Sequence, residues 1–334
     1  MTKFIFKYII FLFLFIACDE NASVSDKNAN QYSFIKPDDF PDIIFPEYNQ
    51  YSSAKAFLGQ KLFTEKMLSV NNSISCASCH IPERAFSSGS PVSFIIDKDL
   101  TVRNVPTIMN IGYYNIFNWD GSANNLDEMI YKDLTIPTVF YNDTNIIVER
   151  LSQSNDYKKL FFDAYGTSEI KAYQVSNAIA VFIRTLISGN SRYDKYRRGD
   201  KSALNDSEIR GMKLFFSDRT NCSKCHSGLF FTNNSFHNTG TSTHYFDLGR
   251  FYVTKNQSDR GKFKTPTLRN IELTSPYKHN GEQLTLEEII ENYDSGGKLF
   301  INKDTLIKQL NLDYQEKKDL INFLKSLTDE RFKK

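Results

Sequence analysis

The sequence predicts an all-α protein built as two small helical domains, and three observations carry that reading. Apolar residues recur at spacings of three and four, as Ile179, Phe182, Ile183 and Leu186 do in "AIAVFIRTLISG" (178–189). Strand-like alternation is hard to find anywhere along the chain. One short motif occurs twice, "CASCH" at 76–80 and "CSKCH" at 222–226, which suggests one copy per domain. With 334 residues, 40% of them hydrophobic and 24% charged, the chain can bury two ordinary cores, and neither a disordered nor a fibrous class fits.

The first element is a leader. Lys3 and Lys7 precede "YIIFLFLFIA" (8–17), ten apolar residues ending against Cys18. That run is too short to span a bilayer and suits an export signal over residues 1–17. The segment "FIAC" resembles a bacterial lipobox, which would make Cys18 the lipid-modified first residue of a mature protein. The expected location is therefore the periplasmic side or cell surface, anchored to a membrane through Cys18. Loss of Lys3 and Lys7 turns 41 basic against 39 acidic residues into an even balance, so no basic footprint for nucleic acid remains. The following polar stretch has no periodicity and reads as a tether over 18–45.

The body is expected in two parts, 46–200 and 201–334. The boundary is placed near residue 200 because "RYDKYRRGDKSALNDSEIRGMKLFF" (192–216) is charged in its middle and starts a new helix near Asp206 or Ser207. Late in the second part, Leu320, Leu324 and Leu327 repeat the helical spacing. Before them, "TLEEIIENYDSGG" (285–297) reads as a helix capped by Thr285 and Glu288, with Leu286, Ile289, Ile290 and Tyr293 on one face and a stop at Gly296-Gly297.

The chemistry lies in the repeated motif. Every cysteine other than Cys18 belongs to a C-x-x-C-H run. Paired cysteines in an exported protein are ordinarily disulfides or redox dithiols. A thioredoxin-like dithiol has no need of the histidine that follows, and a four-cysteine zinc site has no need of two. Covalent haem attachment needs it: the two thiols, Cys76 with Cys79 and Cys222 with Cys225, form thioethers, and His80 or His226 reaches the iron as proximal ligand. Two c-type haems are expected.

Four stretches, "LGQKLFTEKMLSVNNSISCASCHIPERAFSSG", "RNVPTIMNIGYYNIFNWDGSANNLDEM", "GLFFTNNSFHNTG" and "DRGKFKTPTLRNIELTSPYKHNGEQLTLEEIIENYDSGG", resemble the bacterial di-haem cytochrome c peroxidase and MauG family over about residues 52–325. The resemblance implies two cytochrome c-like haem domains, peroxide reacting in the N-terminal one and electrons handled by the C-terminal one. It implies that Trp119, the sole tryptophan, relays charge between the haems, although a buried anchor is the plainer role. It also implies a calcium ion held by the side-chain oxygen of Asn104 and the carbonyls of Thr274 and Pro276. Ordinary turns fit those segments too.

In the peroxidase branch a methionine reaches the C-terminal iron from the helix after the second motif, and in the MauG-like branch a tyrosine does. Here the position holds Tyr293, and no histidine or methionine follows residue 279 to compete. A phenolate is anionic and hard, and favours oxidised iron where a thioether favours reduced.

The family pattern fails in one pocket. Its distal glutamate falls on Val139, its distal glutamine on Met129, and a nearby proline on Asp133. Loss of a general acid-base typically costs about 10²–10⁴ in rate. Glu128, Asp133 or Tyr141 are the candidate substitutes, while Met129 packs on the haem or ligates its iron. A histidine that closes the N-terminal iron in many members is replaced by Ile96, which implies an iron with no strong sixth ligand. His237 and His279 match family positions and are expected to make structural hydrogen bonds; His244 has no expected role. The implied activity is a peroxidase or oxidase that reduces H2O2 with electrons from a small cytochrome c or cupredoxin-like donor, or oxidises a protein partner. The alternative is a non-catalytic di-haem carrier or redox sensor. The family often forms homodimers.

Overall fold

The computed structural model describes residues 32–91, 103–135, 140 and 142–333. Twelve helices carry the described chain: α1 Ser53–Phe63, α2 Cys76–Cys79, α3 Leu126–Asp133, α4 Thr144–Ser152, α5 Asn155–Tyr165, α6 Ala172–Arg184, α7 Arg192–Arg197, α8 Asp206–Phe215, α9 Cys222–Cys225, α10 Phe251–Thr254, α11 Leu286–Asp294 and α12 Tyr314–Lys325. The described sheet is one antiparallel pair, β1 Phe236–His237 on β2 Phe263–Lys264. The fold is all-α. Among the described residues no helix is long and apolar enough to cross a membrane.

Two hydrophobic clusters hold the chain. The first runs from Leu58 to Leu186 and the second from Phe215 to Leu327. In each, an early helix crosses a late one at a glycine. A Cβ at Gly59 of α1 would run into the Ala178 carbonyl of α6, and one at Gly211 of α8 into the Asp319 carbonyl of α12. These close crossings need glycine because backbone meets backbone. Helix α6 is buried on every side from Gln174 to Arg184. Arg184 is neutralised there by Asp127 of α3 at 2.6 Å, as a buried charge must be.

One sequence expectation changes. The described part of the tether, 32–45, packs on the body: Phe40 is buried edge-on against Phe230 and Tyr113, and Asp39 pairs with Arg197 and Arg198. Helix α7, in the charged stretch 192–216, packs against the second cluster. Tyr193 lies against Phe231 and Phe323. Asp194 makes two hydrogen bonds with Arg269, both residues fully enclosed. Charges that look solvent-facing in sequence are thus paired internally. Cys18 lies outside the described residues.

Candidate functional site: two histidine pockets joined by a tryptophan

Each C-x-x-C-H motif forms one helical turn that its histidine terminates. Ser75 caps α2, with its N–H donating to the Ser78 hydroxyl at 3.0 Å. Past the histidine the chain folds back through left-handed residues, Ala85 and Phe86 in the first half and Phe231 in the second. The turn brings a carbonyl to the imidazole: His80 Nδ1 lies 3.0 Å from the Phe86 oxygen, and His226 Nδ1 lies 3.1 Å from the Phe231 oxygen. A carbonyl only accepts, so Nδ1 carries the proton and Nε2 keeps a free lone pair. Burial pushes both imidazoles down, His226 to about 4, which keeps them neutral. This is the form that ligates a metal.

Burial acts oppositely on the thiols, raising Cys76 to about 12 and Cys225 to about 11, with Cys222 also raised. Reactive dithiols have depressed values, so a redox role fits poorly. Among the described residues no three His, Cys, Asp or Glu side chains gather into a metal site.

A cavity of about 730 Å³, lined mostly by apolar groups, contains His80, Trp119, His226 and Tyr293 in its wall. A second, of about 190 Å³, adjoins Cys76, Cys79 and His80. The larger volume lies in the range of cofactor sites. Paired thiols, a neutral imidazole and an apolar chamber in each half are the donor set and surroundings that a covalently attached haem requires.

Trp119 stands where the halves meet. Its indole N–H donates to the Asn104 carbonyl at 2.7 Å, and its own carbonyl accepts from the Lys264 N–H at 2.7 Å. Charged groups brace the same seam: Arg103 pairs with Asp120 and Asp247, each at 2.7 Å. Arg250 donates to the carbonyls of Asp120 and Gly121. Asn104 also joins the halves, its backbone N–H to the His279 carbonyl and its side chain to the carbonyls of Pro276 at 2.6 Å and Lys278 at 3.2 Å. Thr274 lines the same cavity.

Tyr293 lies on α11 behind the expected cap, the Thr285 hydroxyl accepting from the Glu288 N–H at 3.1 Å. Lys278 donates to the Tyr293 hydroxyl at 3.3 Å and lies 4.3 Å from its ring centroid. In the first half, Met129 and Asp133 line both cavities, while Glu128 is exposed and removed from the pocket. Val139, Tyr141 and Ile96 lie outside the described residues. His237 Nδ1 is 2.6 Å from Asp304, and His279 stacks on Phe263 with centroids 3.5 Å apart. His244 is exposed. Sequence reasoning missed Lys278 and the register of Asp133. Two near-repeated runs, "PTIMNI" at 106–111 and "PTLRNI" at 266–271, held the signal for the latter.

Residues 53–202 match the family model described as di-haem cytochrome c peroxidase, and residues 209–328 match the cytochrome c model. The chain is 34% identical to the methylamine utilization protein MauG of Methylorubrum extorquens, over 93% of this chain and 87% of that protein. It is 32% identical to the cytochrome-c peroxidase IdrP1 of Pseudomonas sp. (strain SCT), over 92% and 88%. The crystal structure of a MauG-like protein associated with microbial copper homeostasis superposes with a TM-score of 0.85 at 33% identity, covering 90% of this chain and 97% of that one. The chain belongs to the di-haem cytochrome c peroxidase family, with two c-type haems as its cofactors.

Proposed function

We propose that this protein is a di-haem peroxidase or oxidase in which the His80 half meets H2O2 and the His226 half exchanges electrons. The observation that carries the reading is the shared cavity, whose wall includes both histidines, Trp119 and Tyr293. When bound, the two haems supply the redox chemistry, peroxide reduction in one half and storage of an oxidising equivalent in the other. Cys76, Cys79 and His80 hold one, and Cys222, Cys225 and His226 hold the other, each imidazole presenting Nε2.

Tyr293 would supply a second ligand to the haem of the His226 half, and Lys278 fixes its hydroxyl by donating to it at 3.3 Å. Trp119, fixed by its indole hydrogen bond, couples the halves. The reductant is a small cytochrome c or cupredoxin-like protein, or an aromatic group on a protein substrate. Calcium binds at Asn104, Thr274 and Pro276. Asn104 already sits beside two carbonyl oxygens, and a half-turn of its amide presents Oδ1 to the same place. The chain is exported and lipid-anchored at Cys18.

Rapid-mixing absorption spectroscopy of the di-ferric protein against one equivalent of H2O2 tests the reading. A fast Soret change with a long-lived oxidised species is expected. Slow bleaching alone would replace it with the carrier or sensor reading.

A further inference from the structure

The two halves repeat one chain path around their pockets. Asn110 and Asn270, at φ of 60° and 61°, open matching 3-10 turns. Phe117 bridges to Ala123 as Tyr277 bridges to Gln283. Gly121 and Gly281 follow at φ of 69° and 64°, and α3 and α11 then start at Leu126 and Leu286. Every pair has the same separation along the chain, so the register continues into the helices. Met129 corresponds to Ile289, and Asp133 takes the place of Tyr293.

We infer that Asp133 is the distal acid-base group of the His80 half, moving a proton between the two oxygens of a peroxide held there. The inference rests on the peroxidase reading and deepens it. Tyr293 lines the larger cavity with His226; Asp133, in the same register, lines both cavities with His80. A carboxyl group is shorter than a phenol by the length of a ring. The shorter side chain at the matched position leaves room for a peroxide beside it in the His80 half.

The carboxyl group is also uncommitted. Asp127 on the same helix is held by Arg184 at 2.6 Å and Asn49 at 2.5 Å, whereas among the described residues none hydrogen-bonds or ion-pairs with the Asp133 side chain. Burial pushes it up to about 7, where it can both take and give a proton. The other titratable groups lining the smaller cavity are His80, Cys76 and Cys79, all occupied by cofactor attachment.

The proton balance is simple. Asp133 takes the proton from one peroxide oxygen and returns it to the other, and the O–O bond breaks with its electron pair leaving on the second oxygen as water. Two electrons from the external donor and two protons from solvent convert the remaining oxygen to a second water. The net change is H2O2 plus two electrons and two protons to two waters.

The test uses protein matured with both haems and two readouts, the H2O2-driven Soret change and the association rate of cyanide. HCN must surrender its proton on binding, so its rate reports a distal base without turnover. Asp133→Asn and Asp133→Ala, two variants in case one does not mature, should slow the peroxide step by about 10²–10⁴-fold and slow cyanide in the same direction. Asp133→Glu should recover most of both rates. If wild type reacts with peroxide and the Asn or Ala variant keeps both rates, Asp133 is overturned and the peroxidase reading stands. If wild type does not react with peroxide, that reading falls, and the cyanide rates alone decide whether Asp133 is a distal base.

Discussion

Removing the Asp194 carboxylate should destabilise the second half and loosen its proximal histidine. Arg269 and Asp194 are 1% and 0% exposed, joined by hydrogen bonds of 2.8 and 2.9 Å. The same carboxylate accepts from the Ser191 N–H at 3.0 Å and hydroxyl at 2.8 Å. Asp194→Ala deletes all four bonds and strands a guanidinium away from water. Breaking a buried pair in this way costs about 3–5 kcal/mol, a large share of the roughly 5–15 kcal/mol that holds a domain folded. At about 2–4 °C per kcal/mol the midpoint should fall by roughly 10 °C.

The effect should reach the pocket, because Arg269 Nε also holds the Leu229 carbonyl at 2.8 Å, two residues before the Phe231 carbonyl that orients His226. Thermal unfolding of the holoprotein, followed by far-UV dichroism and by the Soret band, measures both consequences. The pH dependence has a definite sign. Burial alone would raise the Asp194 carboxyl, but Arg269 and Ser191 hold it below the usual range. A depressed carboxyl stabilises above its unfolded value, near pH ~4, and that contribution is lost as pH falls through the folded value. The gap between wild type and variant should therefore be full at neutral pH and close in acid. Replacing both partners, Asp194→Ala with Arg269→Met, should be milder than Asp194→Ala alone. A midpoint shift below about 2 °C at neutral pH would refute the reasoning.

Trp119→Phe removes the hydrogen bond to Asn104 and the most easily oxidised ring at the seam, so sharing of oxidation between the halves should slow markedly; unchanged rapid-mixing kinetics would sink the relay. Lys278→Met deletes a cation 3.3 Å from the Tyr293 hydroxyl, and spectroelectrochemistry should find the C-terminal haem potential lowered, by roughly tens of millivolts. Asn104→Ala should weaken calcium binding, read by calorimetry, and should also lower the thermal midpoint, since the residue ties the halves together through Pro276 and Lys278.

What could be read from the sequence was what depends on neighbours in the chain. The cap of α11 needs only Thr285 and Glu288, and the attachment motifs need only five residues each. Phe40 was misplaced because its partners, Phe230 and Tyr113, are remote in sequence. The packing of helix α7 was illegible for the same reason: Asp194 and Arg269 are separate charges until the fold joins them. The distal glutamate that the resemblance implies falls on Val139, outside the described residues, and no local feature of the sequence ranks the neighbouring carboxyls as its substitute. Glu128 and Asp133 look equivalent in the sequence, and the turn of α3 exposes one and sets the other, half-buried, in the cavity wall.

The repeat of the pocket scaffold explains how two similar halves could do different work. Backbone features recur in register, including the left-handed asparagines, the paired bridges and the glycine that opens each helix approach. The side chains at matched positions diverge where chemistry is decided. Trp119 corresponds to His279, one at the seam between the pockets and the other stacked on Phe263. Asn118 corresponds to Lys278, so a cation meets the phenol in only one half. Asp133 corresponds to Tyr293, a short carboxylic acid against a long phenol. On the proposed ligand role of Tyr293, Asp133→Tyr should close the first pocket in the same way, and the ferric spectrum of that haem should turn from open to six-coordinate. A pocket still open to cyanide at the wild-type rate would show that the helices match in backbone but not in reach.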